Sequence, residues 1–163
     1  MNKIRVFNNE IEMGLRILVI LKCIYPKSLD VEMINYYDYF SLHSKDIGGE
    51  ESLHADVPNR SGELSVKRGL IERSLKMLLL RGLVKHDYNQ DRKNGFEYIV
   101  TKDGASLIDN LNESYTQNLI SNVTWVCYHF KDKTYSNIKS FVAQNKKNWN
   151  SETPYCTVGL IHE

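Results

Sequence analysis

The chain has 163 residues, of which 42% are hydrophobic and 25% are charged. These values are ordinary for a folded globular protein, and they exclude wholesale disorder. Lysine and arginine together number 21 against 20 aspartate and glutamate residues, which gives a formal net charge of +1. The chain therefore lacks the broad basic excess of a dedicated nucleic-acid binder, although a local basic surface is compatible with it.

The cysteines are few and far apart, and they form no Cys-x-x-Cys pair. They are Cys23, Cys127 and Cys156. This usage is typical of reduced thiols rather than of a disulfide framework. An apolar run from Ile17 to Leu21 is too short to span a bilayer. We therefore expect a cytoplasmic protein that does not associate with a membrane.

The chain begins with two helical patterns. Asn8 or Asn9 can cap a first helix that runs through Cys23, and its centre is apolar nearly all round, which predicts a buried core helix. Ser28 can cap a second helix from Leu29 to about Leu42, where apolar and aromatic residues recur at helical spacing. We expect the tyrosines of this helix to pack in the core with their hydroxyl groups near water.

A polar loop from Leu42 to Glu63 separates the second helix from the third. It is too long for a simple connection between helices. We expect it to be ordered by internal hydrogen bonds from Ser44, Asp46, Ser52 and His54, and to present a fixed surface to a partner protein.

The third helix is predicted from about Gly62 to Arg81, with Ser61 as its cap. It carries two apolar stripes on roughly opposite sides. The first consists of Leu64, Ile71, Leu75 and Leu78, and the second of Val66, Leu70 and Met77. The second stripe is either covered by the C-terminal helices or forms a protein interface.

Two extended segments follow the third helix. The runs Leu83 to Tyr88 and Phe96 to Val100 flank a polar turn that ends in Asn94-Gly95, a strong hairpin signal. The order of elements predicts a mainly α fold with a small β-hairpin, which is the plan of a winged helix-turn-helix domain with a C-terminal helical extension. Residues 1–103 would form the winged-helix core, including the loop at 42–63 and the wing at 83–100.

Residues 104–163 are predicted to be helices and a tail that pack on this core as one structural unit. Thr101 begins the helix that leads into this region, and Ser114 to Gln117 matches a capping box. Thr134 can cap a last helix, which Pro154 prevents from continuing.

The loop collects residue types that bind metals, so a metal-dependent hydrolase using residues 43–56 is one functional alternative. These residues are His43, Asp46, Glu50, Glu51, His54 and Asp56. Their spacing matches no known metal motif, and no catalytic triad is evident. We therefore predict no enzyme activity, no catalytic residue, no metal and no cofactor.

A winged-helix DNA-binding protein or transcription regulator is a second alternative. The candidate DNA contacts are the basic residues Arg60, Lys67, Arg68, Arg73, Lys76, Arg92 and Lys93. Acidic neighbours and the second apolar stripe argue against this role, because a face that reads a DNA groove should be polar. The charges could instead form a solvated helix surface with pairs such as Glu72 and Lys76.

Several segments together resemble a known family. They are Leu15-Arg16-Ile17-Leu18-Val19-Ile20-Leu21, Tyr25-Pro26-Lys27-Ser28-Leu29-Asp30, Leu42-His43-Ser44-x-Asp46-x-Gly48-Gly49, Ser52-Leu53-His54, Pro58-x-Arg60-Ser61-Gly62-Glu63-Leu64 and Arg81-Gly82-Leu83-Val84. From about residue 11 to residue 149, the chain is similar to the middle component, second family, of bacterial ABC-type three-component systems. It departs from the family pattern at Glu113-Ser114, where relatives tend to show Ser-Pro.

The resemblance implies a non-catalytic adaptor that is encoded with an ABC/SMC-like ATPase and a third, effector-type component. Such systems are thought to act in defence against phage or plasmids. We expect the adaptor to bind its partners through His43, Asp46, Ser52, His54, Arg60, Glu63, Val66, Leu70 and Met77. Two alternatives stay open, namely DNA held within the assembled complex and a homodimer.

Overall fold

The computed structural model describes residues 9–55, 60–88 and 96–151, without the side chains of residues 60, 61 and 147–151. The elements in these ranges are α1 Glu10–Ile24, α2 Val31–Leu42, a short 3-10 helix Ser44–Ile47, α3 Arg60–Leu80, β1 Val84–Asp87, β2 Glu97–Val100, α4 Lys102–Asp109, α5 Ser114–His129 and α6 Tyr135–Ser151. The prediction of a mainly α fold with a small antiparallel hairpin is confirmed.

Helix α1 lies at the centre of the core. Asn9 caps it, because its side chain accepts a hydrogen bond from the backbone N–H of Glu12 at 2.8 Å. Between Met13 and Leu21 every residue except Leu15 is buried, and helices α2, α3, α4 and α5 pack around it. The prediction of a core helix is confirmed, and of the two caps that the sequence allows, Asn8 and Asn9, the structure shows Asn9.

Helix α2 begins later than the sequence predicts. Its cap is Asp30, whose carboxylate accepts a hydrogen bond from the backbone N–H of Met33 at 2.8 Å. The prediction of Ser28 as the cap is wrong, because the Ser28 hydroxyl donates to the buried carboxylate of Glu97 at 2.5 Å. Ser28 thus joins the α1–α2 connection to β2.

Helix α3 begins slightly earlier than predicted, at Arg60, so that Ser61 lies inside its first turn and is not its cap. Its end at Leu80 lies within one residue of the predicted Arg81. Gly82 has a φ of 69°. The backbone N–H of Leu83 then donates to the carbonyl of Leu78 at 3.0 Å, which closes the end of the helix.

Strands β1 and β2 pair with Val84 opposite Val100. Val84 and Val100 are both buried. On the same face of the hairpin, His86 lies opposite Tyr98, and their rings are 5.0 Å apart. The two predicted strands are confirmed, although they are shorter than the extended runs. The predicted turn at Asn94-Gly95 lies outside the described residues.

Leu29 adds one further contact to this sheet. It forms an antiparallel bridge with Tyr98, in which the N–H of Leu29 donates to the Tyr98 carbonyl at 3.1 Å and the reverse bond measures 2.8 Å. The sequence did not predict this bridge, because a single extended residue leaves no periodic pattern.

The C-terminal helices begin close to the predicted positions. Thr101 and Thr134 cap α4 and α6, each accepting a backbone N–H at 3.2 Å. The capping box at Ser114 is wrong in detail, because Glu113 takes the cap position and Ser114 is the first helical residue. The side chain of Gln117 donates to a backbone carbonyl before the helix instead.

Helices α5 and α6 contribute to the same hydrophobic core as α1 to α4. Their buried apolar residues, among those described, are Leu119, Val123, Val126, Ile138 and Val142. Among the described helices, none is long and apolar enough to cross a membrane.

Candidate functional site

The described part of the loop between α2 and α3, residues 43–55, is held in shape by its own hydrogen bonds. The Ser44 hydroxyl donates to the carbonyl of Glu51 at 2.5 Å, and the backbone N–H of Lys45 donates to the Ser52 hydroxyl at 3.3 Å. These bonds fasten the 3-10 helix to the segment that returns toward α3.

Neighbouring helices hold the loop on its other sides. The Tyr39 hydroxyl donates to Asp46 at 2.5 Å, and the His54 ring contacts the Tyr115 hydroxyl of α5 at 3.4 Å. The side chain of Asn122, also on α5, donates to the carbonyl of Glu51 at 3.5 Å. The prediction of internal hydrogen bonds is confirmed for Ser44 and Ser52, whereas the side chains of Asp46 and His54 bond to helices α2 and α5 outside the loop.

Two consecutive glycines allow the loop to turn. Gly48 has a φ of 87°, a left-handed conformation that favours glycine. A Cβ atom on Gly49 would lie 2.7 Å from the Cβ of Ser44 and 2.9 Å from its carbonyl oxygen. The loop therefore packs so closely on Ser44 that position 49 has no room for a side chain.

His43 does not face solvent, although the sequence places it among the partner-binding residues. Its side chain is 3% exposed and its ring lies 4.9 Å from that of Tyr39. Its Nε2 atom lies 3.4 Å from Oε2 of Glu63, without good hydrogen-bond geometry. His43 can support the loop from beneath, but it is not positioned to touch a partner.

The metal-binding residue types of the loop do not converge. Among the described residues, no group of three or more histidine, cysteine, aspartate or glutamate side chains could hold a metal ion. His43 and Asp46 point to Glu63 and Tyr39, respectively, while Asp56 lies outside the described ranges. The described geometry therefore gives no support to the alternative of a metal-dependent hydrolase.

Charged side chains meet beneath the loop in the middle of the core. Nε of Arg16 donates to Oδ1 of Asp38 at 2.6 Å, and Nη1 of Arg16 lies 3.1 Å from Glu12. Nζ of Lys67 lies 3.4 Å from Asp38 and 2.6 Å from Glu63. We call these five residues the buried ionic network, and it joins α1, α2 and α3.

The charges in this network stabilise one another. Burial alone would raise the pKa of Asp38, but Arg16 and Lys67 hold it below its ordinary value. Burial likewise opposes the charged form of Glu63, yet its contacts with His43 and Lys67 lower its pKa to about 2. The carboxylates of Asp38 and Glu63 are therefore ionised at neutral pH, as their cationic neighbours require.

The second apolar stripe of α3 is only partly covered, and α1 contributes to the cover. A Cβ atom on Gly14 of α1 would lie 2.9 Å from the terminal methyl of Met77. Leu70 and Met77 are half-buried, whereas Val66 is 81% exposed. Leu80, which the sequence did not single out, continues the stripe and is 80% exposed. We call Val66, Leu70, Arg73, Met77 and Leu80 the outer stripe of α3.

The candidate DNA-contacting residues fall into different environments. Lys67 is 7% exposed and forms ion pairs with Asp38 and Glu63. It therefore cannot contact a phosphate group of DNA. Arg68 and Arg73 are exposed, and they pair with Glu72 and Glu10. Glu72 thus pairs with Arg68 rather than with Lys76.

The remaining candidates are exposed or undescribed. Lys76 is exposed on α3. The side chain of Arg60 lies outside the described parts of the structure, as do Arg92 and Lys93.

Sequence reasoning missed Arg16 and Asp38, the centre of the buried ionic network. A signal was present, because Arg16 interrupts an otherwise apolar helix and Asp38 lies among the tyrosines of α2. A charge in such a place needs a buried partner. The pairing itself could not be read from the sequence, since the two residues belong to different helices.

The family comparison covers nearly the whole described structure. A model of the ABC-three component system Middle Component 2 matches residues 6–152, which include the loop, the network and every element from α1 to α6. No curated protein and no solved structure matches the chain. The match to most of the chain shows that this protein belongs to the Middle Component 2 family of ABC-three component systems.

Proposed function

We propose that the chain is a non-catalytic adaptor, which links an ABC/SMC-like ATPase to the effector component of an anti-phage or anti-plasmid system. Membership of a middle-component family supports the existence of co-encoded partners. The observation that carries the proposal is Val66, an apolar side chain that is 81% exposed on the outer stripe of α3. Exposed apolar residues on a rigid helix are suited to protein contacts.

The loop contributes a second part of this surface. Its exposed residues include Lys45, Glu50 and Glu51, while hydrogen bonds from Tyr39 to Asp46 and from Asn122 to the Glu51 carbonyl tie it to α2 and α5. A loop held on both sides loses little conformational entropy when a partner binds. Asp46, Ser52 and His54 are half-buried, so we assign them mainly to holding this surface in place.

Co-purification of the three co-encoded proteins tests the adaptor. Val66→Asp places a charge in the proposed interface and should abolish or strongly weaken recovery of at least one partner. Val66 is a better test position than Leu70 or Met77, because both of those pack partly against the core. Leu107→Asp is the matched control, since Leu107 is 43% exposed on α4.

The variants must keep the helical circular dichroism and melting behaviour of the parent protein. If folded Val66→Asp retains both partners as well as Leu107→Asp does, Val66 is not in the interface. If the unmodified chain purifies with neither co-encoded protein, the adaptor role itself is wrong.

A winged-helix DNA-binding role is the second candidate, and the Leu29–Tyr98 bridge favours it. A single extended residue before the second helix that bridges to the hairpin is compatible with a winged-helix topology. Arg68 and Arg73 would then offer exposed guanidinium groups to the phosphate backbone. Duplex binding should fall steeply with salt, and its absence at low salt, both for the chain alone and in the complex, rules this role out.

A further inference from the structure

The outer stripe of α3 has the spacing of a helix that packs against another helix. Val66, Leu70, Arg73, Met77 and Leu80 follow one another at steps of four, three, four and three residues. Such a stripe forms the seam between two helices that cross at a small angle. Helix α1 covers only its middle, since both ends of the stripe are about four-fifths exposed.

The C-terminal half of the stripe borders a shallow cavity of about 470 Å³ between α1 and α3. Its apolar residues are Met77 and Leu80, and its charged residues are Glu10, Arg73, Lys76 and Arg81. Three of the four charged residues are cations. The cavity therefore has an apolar centre and a positively charged rim.

The single carboxylate at the cavity is already engaged. Nε of Arg73 donates to Oε1 of Glu10 at 2.9 Å. Within the described ranges, neither Lys76 nor Arg81 forms an ion pair, whereas Arg68 on the other side of α3 is paired with Glu72. Lys76 and Arg81 are therefore the cations that can receive carboxylates from outside the chain.

We infer that this cavity and the adjoining outer stripe bind an acidic amphipathic helix of one of the two co-encoded partners. Apolar residues of that helix would pack on Met77 and Leu80, and flanking carboxylates would pair with Lys76 and Arg81. Duplex DNA fits less well, because the phosphate backbone gains nothing from an exposed leucine at the centre of the site. The inference rests on the adaptor function and specifies the chemistry of its partner.

Photocrosslinking within the co-expressed three-protein complex identifies the occupant. p-Benzoylphenylalanine replacing Leu80 should crosslink to a segment of the ATPase or the effector that has glutamate or aspartate beside a helical apolar stripe. The same residue replacing Tyr128, which is 68% exposed on α5, is the control for non-specific capture.

Charge reversal tests the acidic character of the partner. Lys76→Glu together with Arg81→Glu should weaken association by about tenfold or more at low salt, with a smaller effect at high salt. Lys131→Glu together with Lys133→Glu is the matched control, because these two lysines are exposed on the α5–α6 connection. Leu80→Gln should weaken association at both salt concentrations.

Several outcomes would overturn this inference. They are a crosslink to the first eight residues of the same chain, to a second copy, or to a segment without acidic residues. Charge reversal that abolishes duplex binding but leaves protein association intact would assign the cations to nucleic acid. If the complex forms and none of the variants at positions 76, 80 and 81 changes it, this docking site is wrong while the adaptor function stands.

Discussion

Gly49 shows how a single residue fixes the shape of the loop. Gly49→Ala would force the new methyl group against the Cβ and the carbonyl oxygen of Ser44, at the separations of 2.7 and 2.9 Å given above. We expect the free energy of unfolding to fall by about 1–3 kcal/mol, as for other overpacked sites. Thermal melting and proteolysis of the loop measure the effect.

Gly69→Ala is the matched control for this substitution. Gly69 lies within α3, and an added Cβ would approach Arg73 at an ordinary 3.5 Å. Alanine should raise stability by roughly 0.5–1 kcal/mol, because glycine is a poor helix former. Equal melting temperatures for Gly49→Ala and the parent protein would contradict the close approach to Ser44.

The two described cysteines should be poor nucleophiles. Burial raises the pKa of Cys23, and it raises that of Cys127 to about 12. Because the thiolate is the reactive form, Cys127 in the native protein should react with iodoacetamide roughly a thousandfold more slowly at pH 8 than an ordinary thiol.

Mass spectrometry of a Cys156→Ser variant, alkylated in buffer and in urea, measures this difference. The substitution removes the thiol that lies outside the described residues. Comparable alkylation rates at Cys127 in the two conditions would show that this cysteine is neither buried nor protected.

At the scale of secondary-structure elements, the buried ionic network makes the free energy of unfolding depend on pH in the acidic range. Glu63 has a folded pKa of about 2 against an ordinary value of 4.5, so the unfolded chain binds the proton more readily. The contribution of Glu63 to stability is thus fully present above about pH 4.5 and is lost as the pH falls toward 2. Unfolding by urea across this range should show a declining free energy.

Glu63→Gln should remove much of this pH dependence. At neutral pH it should cost at most about 3 kcal/mol, since the buried Lys67 loses one of its two carboxylate partners. Glu72→Gln is the control, because Glu72 and Arg68 are both more than half exposed and their pair should contribute less than about 1 kcal/mol. Identical acid transitions for Glu63→Gln and the parent protein would mean that Glu63 is not held ionised.

The helices could be predicted from the sequence because their apolar residues recur at regular spacing. The caps at Asn9, Thr101 and Thr134 were readable because each cap bonds to a residue three positions later. The Ser28 and Ser114 caps were misassigned, since local chemistry does not reveal a competing partner such as Glu97. Element boundaries depend on such tertiary contacts.

The candidate site was less predictable than the fold. The sequence identified the loop and the second apolar stripe of α3, but not which members of that stripe reach the surface. Met77 is half-buried because it meets Gly14 of α1, a contact between residues far apart in the chain. Leu80 was overlooked because it lies at the very end of the helix, where the pattern is shortest.

At the scale of the whole molecule, the Leu29–Tyr98 bridge bears on the order in which parts of the chain fold. Two backbone hydrogen bonds join the α1–α2 connection to β2, so they can form only when these distant segments meet. Contacts of such large sequence separation form late, since the chain must first be brought together at an entropic cost.

Native-state hydrogen exchange can detect this consequence. We expect the amides of Leu29 and Tyr98 to become exchangeable together, in the same opening event, although one belongs to a helix connection and the other to a strand. If Tyr98 instead opens with the hairpin while Leu29 stays protected, the hairpin unfolds as an independent unit. Joint opening would mean that the hairpin cannot separate from the helices without also loosening the start of α2, so that the two segments behave as one cooperative unit.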